Sequence, residues 1–366
     1  MTADTAHRAA ELLAQLIAIP THQAGRPGAD SGDERRLCEL VAPMLRARGA
    51  DEVVIADARR SDGTPGAYVF ARWGTPTTII NAHVDTVPVN AGWTRDPWTP
   101  TRVGDRLYGL GAADTKGAIA TTLLALERIT PRDIGVLFSG DEEAGNGVMP
   151  AFLASPHAAA IRRAIVCEPS ARTAGIAHRG ILAQHALLEG QGGHSSKADH
   201  LPRPLAQLAR LAVAIDELGR ARLHDGPTGM TGLCLNIAAL HGGVAFNVIP
   251  QRGRLEWSLR PYPGFDRAGW DREVAACARR IDPAIAIGVA LDHSPFACDR
   301  LAERVRPHVR AVGNLDYWTE AALFTARGID AIVIGPGDIA QAHGADEFVE
   351  LADLAWAVEV YAALLA

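Results

Sequence analysis

Residues 77–87 read TTIINAHVDTV, a β-branched and apolar run that ends in a histidine and a carboxylate two positions apart. The apolar part has the composition of a buried β-strand. Because side chains alternate along an extended chain, His83 and Asp85 emerge on the same side where the strand ends. This stretch predicts a strand whose end can present a metal ligand and its orienting partner.

Two later predicted strands also end in acidic residues. The strand at 134–139 precedes Asp141-Glu142-Glu143, and the strand at 163–167 precedes Glu168. Strands that alternate with helices, such as those predicted at 6–19, 32–48 and 118–128, indicate an α/β fold with a mainly parallel sheet. Sites on such sheets lie beyond the carboxyl ends of the strands, so these groups are predicted to share one site.

The pattern changes near Thr173 and returns to α/β after about Asp292. Between these points we predict an inserted β-α-β-β-α-β unit of ferredoxin-like type. Its elements are strand 181–188, helix 201–218, strands 233–240 and 252–260, helix 267–280 and strand 284–290. The predicted domains are therefore 1–174 with 293–366, and the insertion 175–292. After the insertion we predict helices at 301–312 and 320–326, a strand at 331–334, and a last helix from Phe348.

Composition excludes several classes of protein. The chain has 36 basic and 42 acidic residues, a net charge of -6, and no block of like charge. This argues against nucleic acid or an anionic membrane as a partner. The 5 cysteines are scattered, which is typical of reduced thiols. With no signal-like N-terminal pattern and no apolar run near the ~20 residues that span a bilayer, we expect a cytoplasmic protein.

Each chemically interesting residue also has a structural interpretation. A histidine such as His83 can be a core residue, Asp85 a turn residue, and Asp114 the cap of a helix that starts near Thr115. The acidic residues at 141–143 can complement a helix N-terminus, Glu168 can be a loop residue, and His343 can lie on the surface. Two histidines and several carboxylates at the ends of one sheet nevertheless favour a site for Zn²⁺, Co²⁺ or Mn²⁺.

Other site types fit the sequence poorly. Gly109-x-Gly111 begins like a dinucleotide fingerprint, but Asp114 occupies the place of the third glycine. The run at 140–143 lacks the Lys-Ser/Thr of a P-loop, and there is no G-x-S-x-G elbow of a serine hydrolase.

Nine short motifs together carry a family resemblance. They are NAHVDTVP (81–88), GLGAADTKG (109–117), SGDEEAGNG (139–147), CEPS (167–170), HRG (178–180), GGHSS (192–196), FNVIP (246–250), RPYPG (260–264) and AHGADE (342–347). In this order they resemble the dinuclear-zinc aminoacylase/carboxypeptidase (M20-type) family, which includes acetylornithine deacetylase, succinyl-diaminopimelate desuccinylase and aminoacylase.

The resemblance implies one or two divalent ions, zinc or cobalt, in each subunit. It makes His83, Asp114 and Glu168 ligands of one ion. Asp114, Glu143 and His343 would be ligands of the other. Asp85 would fix the imidazole of His83. Glu142 would be the general base, facing the water while its neighbour in an extended segment faces the metal.

The resemblance also implies that the insertion is a lid and dimerisation domain, so that the protein is a homodimer. His194 would stabilise the tetrahedral oxyanion. Arg260 and Asn247 would bind the α-carboxylate of the substrate, with Arg179 as a further candidate for the same pocket.

One run departs from the common family pattern. Residues 316–322 read DYWTEAA where much of the family has a GGTDA-like run. Together with GPGDIAQ at 335–341, this run resembles the branch that acts on acetylcitrulline. The expected activity is metal-dependent deacetylation of the small molecules N-acetylornithine or N-acetylcitrulline in arginine biosynthesis. A dipeptidase or carboxypeptidase, or a desuccinylase of the same family, is the enzymatic alternative. A metal-binding scaffold without activity is the non-enzymatic one.

Overall fold

The structure, a computed structural model, describes residues 2–24 and 31–366. The chain divides into two compact units. The first comprises Met1–Ile176, Cys298–Leu315 and Thr319–Ala366, and the second comprises Ala177–Ala297 with Asp316–Trp318. Across the described ranges, no helix is both long and apolar enough to cross a membrane.

The elements follow one another in an alternating order. The helices before the insertion are α1 (Thr2–Ile17), α2 (Glu34–Ala47), α3 (Lys116–Ala125) and α4 (Val148–Ala154). The strands there are β1 (Glu52–Arg59), β2 (Pro65–Trp73), β3 (Thr78–His83), β4 (Thr101–Val103), β5 (Arg106–Tyr108), β6 (Ile134–Ser139), β7 (Arg163–Val166) and β8 (Thr173–His178). The insertion contains β9 (Ile181–Glu189), β10 (Gly193–His194), α5 (Pro204–Arg220), β11 (Asn236–His241), β12 (Val248–Ile249), β13 (Arg252–Leu259), α6 (Arg267–Ile281), β14 (Ala286–His293) and β15 (Phe296–Ala297). The last elements are α7 (Ala302–Val305), β16 (Ala311–Leu315), α8 (Ala321–Ala326), β17 (Asp330–Val333), β18 (Phe348–Glu350) and α9 (Leu351–Leu365).

The main sheet is parallel at its centre and antiparallel at its margins. Its order is β1-β2-β6-β3-β7-β17-β8, and β16 also pairs with β8. The pairs β6–β3, β3–β7 and β7–β17 are parallel, whereas β1–β2, β2–β6 and β17–β8 are antiparallel. The predicted α/β class with a mainly parallel sheet is confirmed. The four parallel strands all end at the same edge of the sheet.

Both faces of this sheet are covered by helices, which explains why the central strands are buried and rich in apolar residues. Every residue of β3 is buried. Val69 and Ile80 belong to a core cluster that α1, α2, α3 and α9 complete. On the opposite face Phe70 packs against Phe152 of α4, with 5.3 Å between ring centroids.

The second unit has the topology predicted for the insertion. Its four-stranded antiparallel sheet has the order β11-β13-β9-β14, and α5 and α6 pack on one face. Alternate residues of β9 are buried, and Trp257 and Trp270 both donate their ring N–H to Gln184. The ferredoxin-like prediction is confirmed.

Two helices near the C-terminus begin or end at residues other than those predicted. The last helix begins at Leu351 rather than Phe348, because Phe348–Glu350 pairs with β5. The helix predicted at 301–312 ends at Val305, and a strand starts at Ala311. Pro307 lacks a backbone N–H and opposes the continuation of the helix.

Candidate metal centre

The parallel strands bring the predicted ligands to one edge. His83 ends β3 and lies in register with Ser139, the last residue of β6. Asn81 pairs with Val166, so Glu168 follows the end of the neighbouring strand. Asp114 lies just before α3, which packs against β3. The groups therefore converge as expected for the carboxyl ends of a parallel sheet.

Asp114 lies between the two histidines. Its Oδ1 is 2.8 Å from Nε2 of His83, and its Oδ2 is 3.3 Å from Nε2 of His343. His343 is also 3.0 Å from Oε2 of Glu143, and Nε2 of His83 is 3.8 Å from Oε2 of Glu168. Ligand atoms of His83, Asp114 and Glu143 all lie within 4.8 Å of one another. A carboxylate with one oxygen towards each imidazole has the arrangement of a bridging ligand.

The carboxylates make this site attractive to cations. Burial alone lowers the pKa of His83, but the hydrogen bond to Asp114 and the neighbouring carboxylates raise it well above its usual value. Hydrogen bonds to Asp114 and Glu143 raise the pKa of His343 to about 10. A proton or a metal ion is therefore favoured at Nε2 of His83 and at Nε2 of His343.

Burial raises the pKa of the carboxyl groups at this site, whereas it lowers the pKa of an imidazole. Burial raises the pKa of Glu168 well above its usual value, and burial followed by the charge of Asp114 raises the pKa of Glu143. Burial also acts on Asp114, but the hydrogen bonds from His343 and His83 outweigh it and hold its pKa below its usual value. Imidazole nitrogens and carboxylate oxygens in this arrangement fit one or two ions such as Zn²⁺ or Co²⁺.

Asp85 contacts His83 mainly through its backbone. Nδ1 of His83 lies 2.9 Å from the carbonyl oxygen of Asp85 but 3.6 Å from its Oδ1. The carboxylate instead accepts the backbone N–H groups of Glu142 and Glu143, at 3.1 and 3.0 Å. The backbone carbonyl of Asp85 thus orients the imidazole of His83. The carboxylate of Asp85 holds residues 141–143, which we call the acidic loop.

The loop that carries Asp114 is held by Glu347, which the sequence analysis did not single out. Glu347 is buried and accepts the backbone N–H groups of Gly111, Ala113 and Asp114, at 3.0, 2.8 and 3.1 Å. Gly111 has φ +83°, and a Cβ there would lie 2.8 Å from Cγ2 of Thr86. Both the tight turn and the crowding therefore require glycine.

Glu142 and Glu143 lie in a turn rather than in the extended segment that was expected. The turn starts at Asp141, which has φ +63°. Glu142 is half-buried. The loss of hydration that follows from this burial, together with the charge of Glu168, raises the pKa of Glu142 well above the usual value.

Glu320 is a further buried acid beside this site. It accepts a hydrogen bond from Oγ of Ser139 at 2.8 Å. Burial raises its pKa to about 7. In the sequence, Glu320 stands out only as a departure from the family pattern.

The predicted substrate-binding residues belong to the second unit. Nδ1 of His194 accepts the backbone N–H of Ser196 at 3.2 Å, so the neutral ring carries its proton on Nε2. Asn247 and Arg260 are exposed. Arg179 instead donates to the carbonyl oxygens of Gly232, Arg260 and Thr231, at 2.6, 3.1 and 2.9 Å. This arrangement supports a structural role for Arg179.

Known proteins resemble the chain over most of its length. The chain is 39% identical over 317 residues to N-acetyl-L-citrulline deacetylase from Xanthomonas campestris pv. campestris, covering 81% of this chain and 83% of the relative. It is 30% identical over 367 residues to acetylornithine deacetylase from Photorhabdus laumondii, covering 93% and 92%.

Solved structures share the fold at low sequence identity. An M20 family metallo-carboxypeptidase from Sulfolobus solfataricus superposes with a TM-score of 0.75 at 16% identity, covering 98% of each chain. A dinuclear metal-binding M20 peptidase from Bacillus subtilis has a TM-score of 0.69 at 14% identity, covering 99% of this chain and 97% of that one. Residues 79–366 match the sequence model of peptidase family M20/M25/M40, to which this chain therefore belongs.

Proposed function

We propose that the protein is a metal-dependent N-acyl-amino-acid amidohydrolase that releases acetate from N-acetylcitrulline or N-acetylornithine. The observation that carries this proposal is the position of Asp114 between His83 and His343, with Glu142 beside the candidate ligand Glu143. Relatives named as deacetylases of these two substrates support the reaction class. We further propose a cytoplasmic role in arginine biosynthesis.

The metal would be zinc or cobalt, with one or two ions in each subunit. One ion would be held by His83, Asp114 and Glu168. The second would be held by Asp114, Glu143 and His343. When bound, such ions lower the pKa of a water molecule and polarise a carbonyl group.

Glu142 is the general base in this proposal. It takes the proton from the attacking water and then passes that proton to the amine nitrogen as the amide C–N bond breaks. The products are acetate and the free amino acid.

Residues of the second unit would recognise the substrate. His194, protonated at Nε2, would donate a hydrogen bond to the oxyanion. Arg260 would bind the α-carboxylate bidentately, assisted by Asn247. We propose that this unit is the lid and the dimerisation domain.

The experiment is a substrate panel measured on zinc- or cobalt-loaded protein. It compares N-acetylcitrulline, N-acetylornithine, succinyl-diaminopimelate and simple dipeptides at equal concentration. We expect one of the two acetylated amino acids to have the highest kcat/KM. Preference for succinyl-diaminopimelate or for dipeptides would replace this function with the corresponding alternative in the family. Absence of all turnover with metal bound would favour a metal-binding scaffold.

A further inference from the structure

The acidic loop is held by two buried carboxylates that are distinct from the candidate metal ligands. Glu34 accepts the backbone N–H of Asp141 at 3.2 Å. Asp85 accepts the N–H groups of Glu142 and Glu143, one on each oxygen. Three consecutive N–H groups are thus bound by carboxylates, so the position of Glu142 depends on where Glu34 and Asp85 lie.

Gln23 connects these two carboxylates. Its Nε2 donates to Oδ2 of Asp85 at 2.7 Å and to Oε1 of Glu34 at 3.4 Å. The residues Gln23, Asp85 and Glu34 are 5%, 0% and 2% exposed, so water does not compete for these bonds. A carboxamide supplies two N–H donors without adding a charge, which matches two facing acids.

The backbone of Gln23 is attached to the metal-binding edge as well. Its N–H donates to the carbonyl oxygen of Thr86 at 2.8 Å, just beyond β3. Nε of Arg60 lies 2.9 Å from Oε1 of Glu34, so a cationic side chain faces this acid. Gln23 is therefore fixed at both its backbone and its amide, as a residue that orients others must be.

We propose that Gln23 is a positioning residue that holds Asp85, and through it both His83 and Glu142, in the geometry required for catalysis. Asp85 provides the link because its carbonyl oxygen contacts Nδ1 of His83 while its carboxylate binds the acidic loop. The inference rests on the proposed function for its catalytic consequence. Its structural consequence, the geometry of the metal site, does not depend on which reaction the protein catalyses.

The test replaces Gln23 by methionine, which has a similar length but no N–H donor. In the metal-loaded enzyme we expect kcat to fall by about 10- to 100-fold, with KM changed by less than about threefold, because outer partners orient the groups rather than bind substrate. We also expect altered visible absorption bands of bound Co²⁺ and a weaker apparent Co²⁺ affinity.

Gln184→Met is the matched control. Gln184 is a buried glutamine of the second unit, 3% exposed, that donates to Asp271 and accepts from two tryptophans. This variant should lose stability but keep wild-type kcat and the wild-type Co²⁺ spectrum. If Gln23→Met does not fold, Gln23→Leu provides the same comparison, since it also removes the N–H donor without adding a charge.

Wild-type kcat and Co²⁺ spectrum in the Gln23 variant would overturn the proposal. So would equal losses in the Gln23 and Gln184 variants, because these would indicate general destabilisation. If wild-type protein hydrolyses no acylated amino acid, the proposed function fails. The Co²⁺ spectrum still decides whether Gln23 positions the site.

Discussion

Replacement of Glu347 by glutamine probes how the loop of Asp114 is held. The Glu347 carboxylate accepts Ala113 and Asp114 N–H on Oε1 and Gly111 N–H on Oε2. A carboxamide has only one acceptor oxygen. The least costly orientation keeps that oxygen at the Oε1 position and leaves the N–H of Gly111 facing an NH₂ group.

The expected cost follows from this geometry. A buried donor that loses its acceptor costs about 1–3 kcal/mol. For a unit of this size, each kcal/mol corresponds to roughly 2–4 °C in Tm. We therefore expect Tm to fall by several degrees. Because Asp114 is the bridging candidate, metal affinity should also fall, by about 10- to 100-fold.

The assay is thermal unfolding of the metal-free protein, followed by metal titration, above the pKa of about 8 that burial gives to Glu347. Glu350→Gln is the control, since Glu350 forms an exposed ion pair with Arg106 at 2.8 Å. Such pairs contribute at most about 1 kcal/mol. Equal Tm and equal metal affinity in the two variants would refute the reasoning.

Three further predictions follow from the site. Glu142→Gln should lower kcat by about 10²- to 10⁴-fold while metal binding, measured by stoichiometry, stays unchanged; loss of the metal instead would make this residue a ligand. In the metal-free protein hydrogen bonds to Asp114 and Glu143 raise the pKa of His343 to about 10, so metal binding must expel its proton. Apparent metal affinity should therefore rise with pH, with proton release in weakly buffered solution, and an affinity that falls as pH rises contradicts this. Arg260→Ala should lower kcat/KM by about 10- to 100-fold, which corresponds to the loss of a hydrogen bond to a charged group. The control is Arg254→Ala, since Arg254 is a nearby arginine paired with Glu256, and it should have little effect on kcat/KM.

The sequence predicted those features that depend on local pattern. The apolar runs of β3 and β6 and the acidic residues after them indicated the parallel edge, and the alternating order indicated the inserted unit. Resemblance to the family added the pairing of His83 with His343 around Asp114. The structure brings these three residues together.

Features that depend on distant contacts were not predictable from pattern. Phe348 lies in a strand only because β5 is there to pair with it. Gln23 and Glu347 are functional candidates because their side chains reach backbone N–H groups or carboxylates far away in sequence. The actual contact between Asp85 and His83, through a carbonyl oxygen, also depends on the local turn of the backbone.

The central claim is that the ligands around Asp114 hold the metal on which amide hydrolysis depends. The most direct measurement is acetate release from N-acetylcitrulline and N-acetylornithine by chelator-treated protein, recorded as Zn²⁺ or Co²⁺ is added back. The account predicts no release without metal and a rise to a plateau at one or two ions per subunit. Undiminished release by protein shown to contain no metal would contradict it.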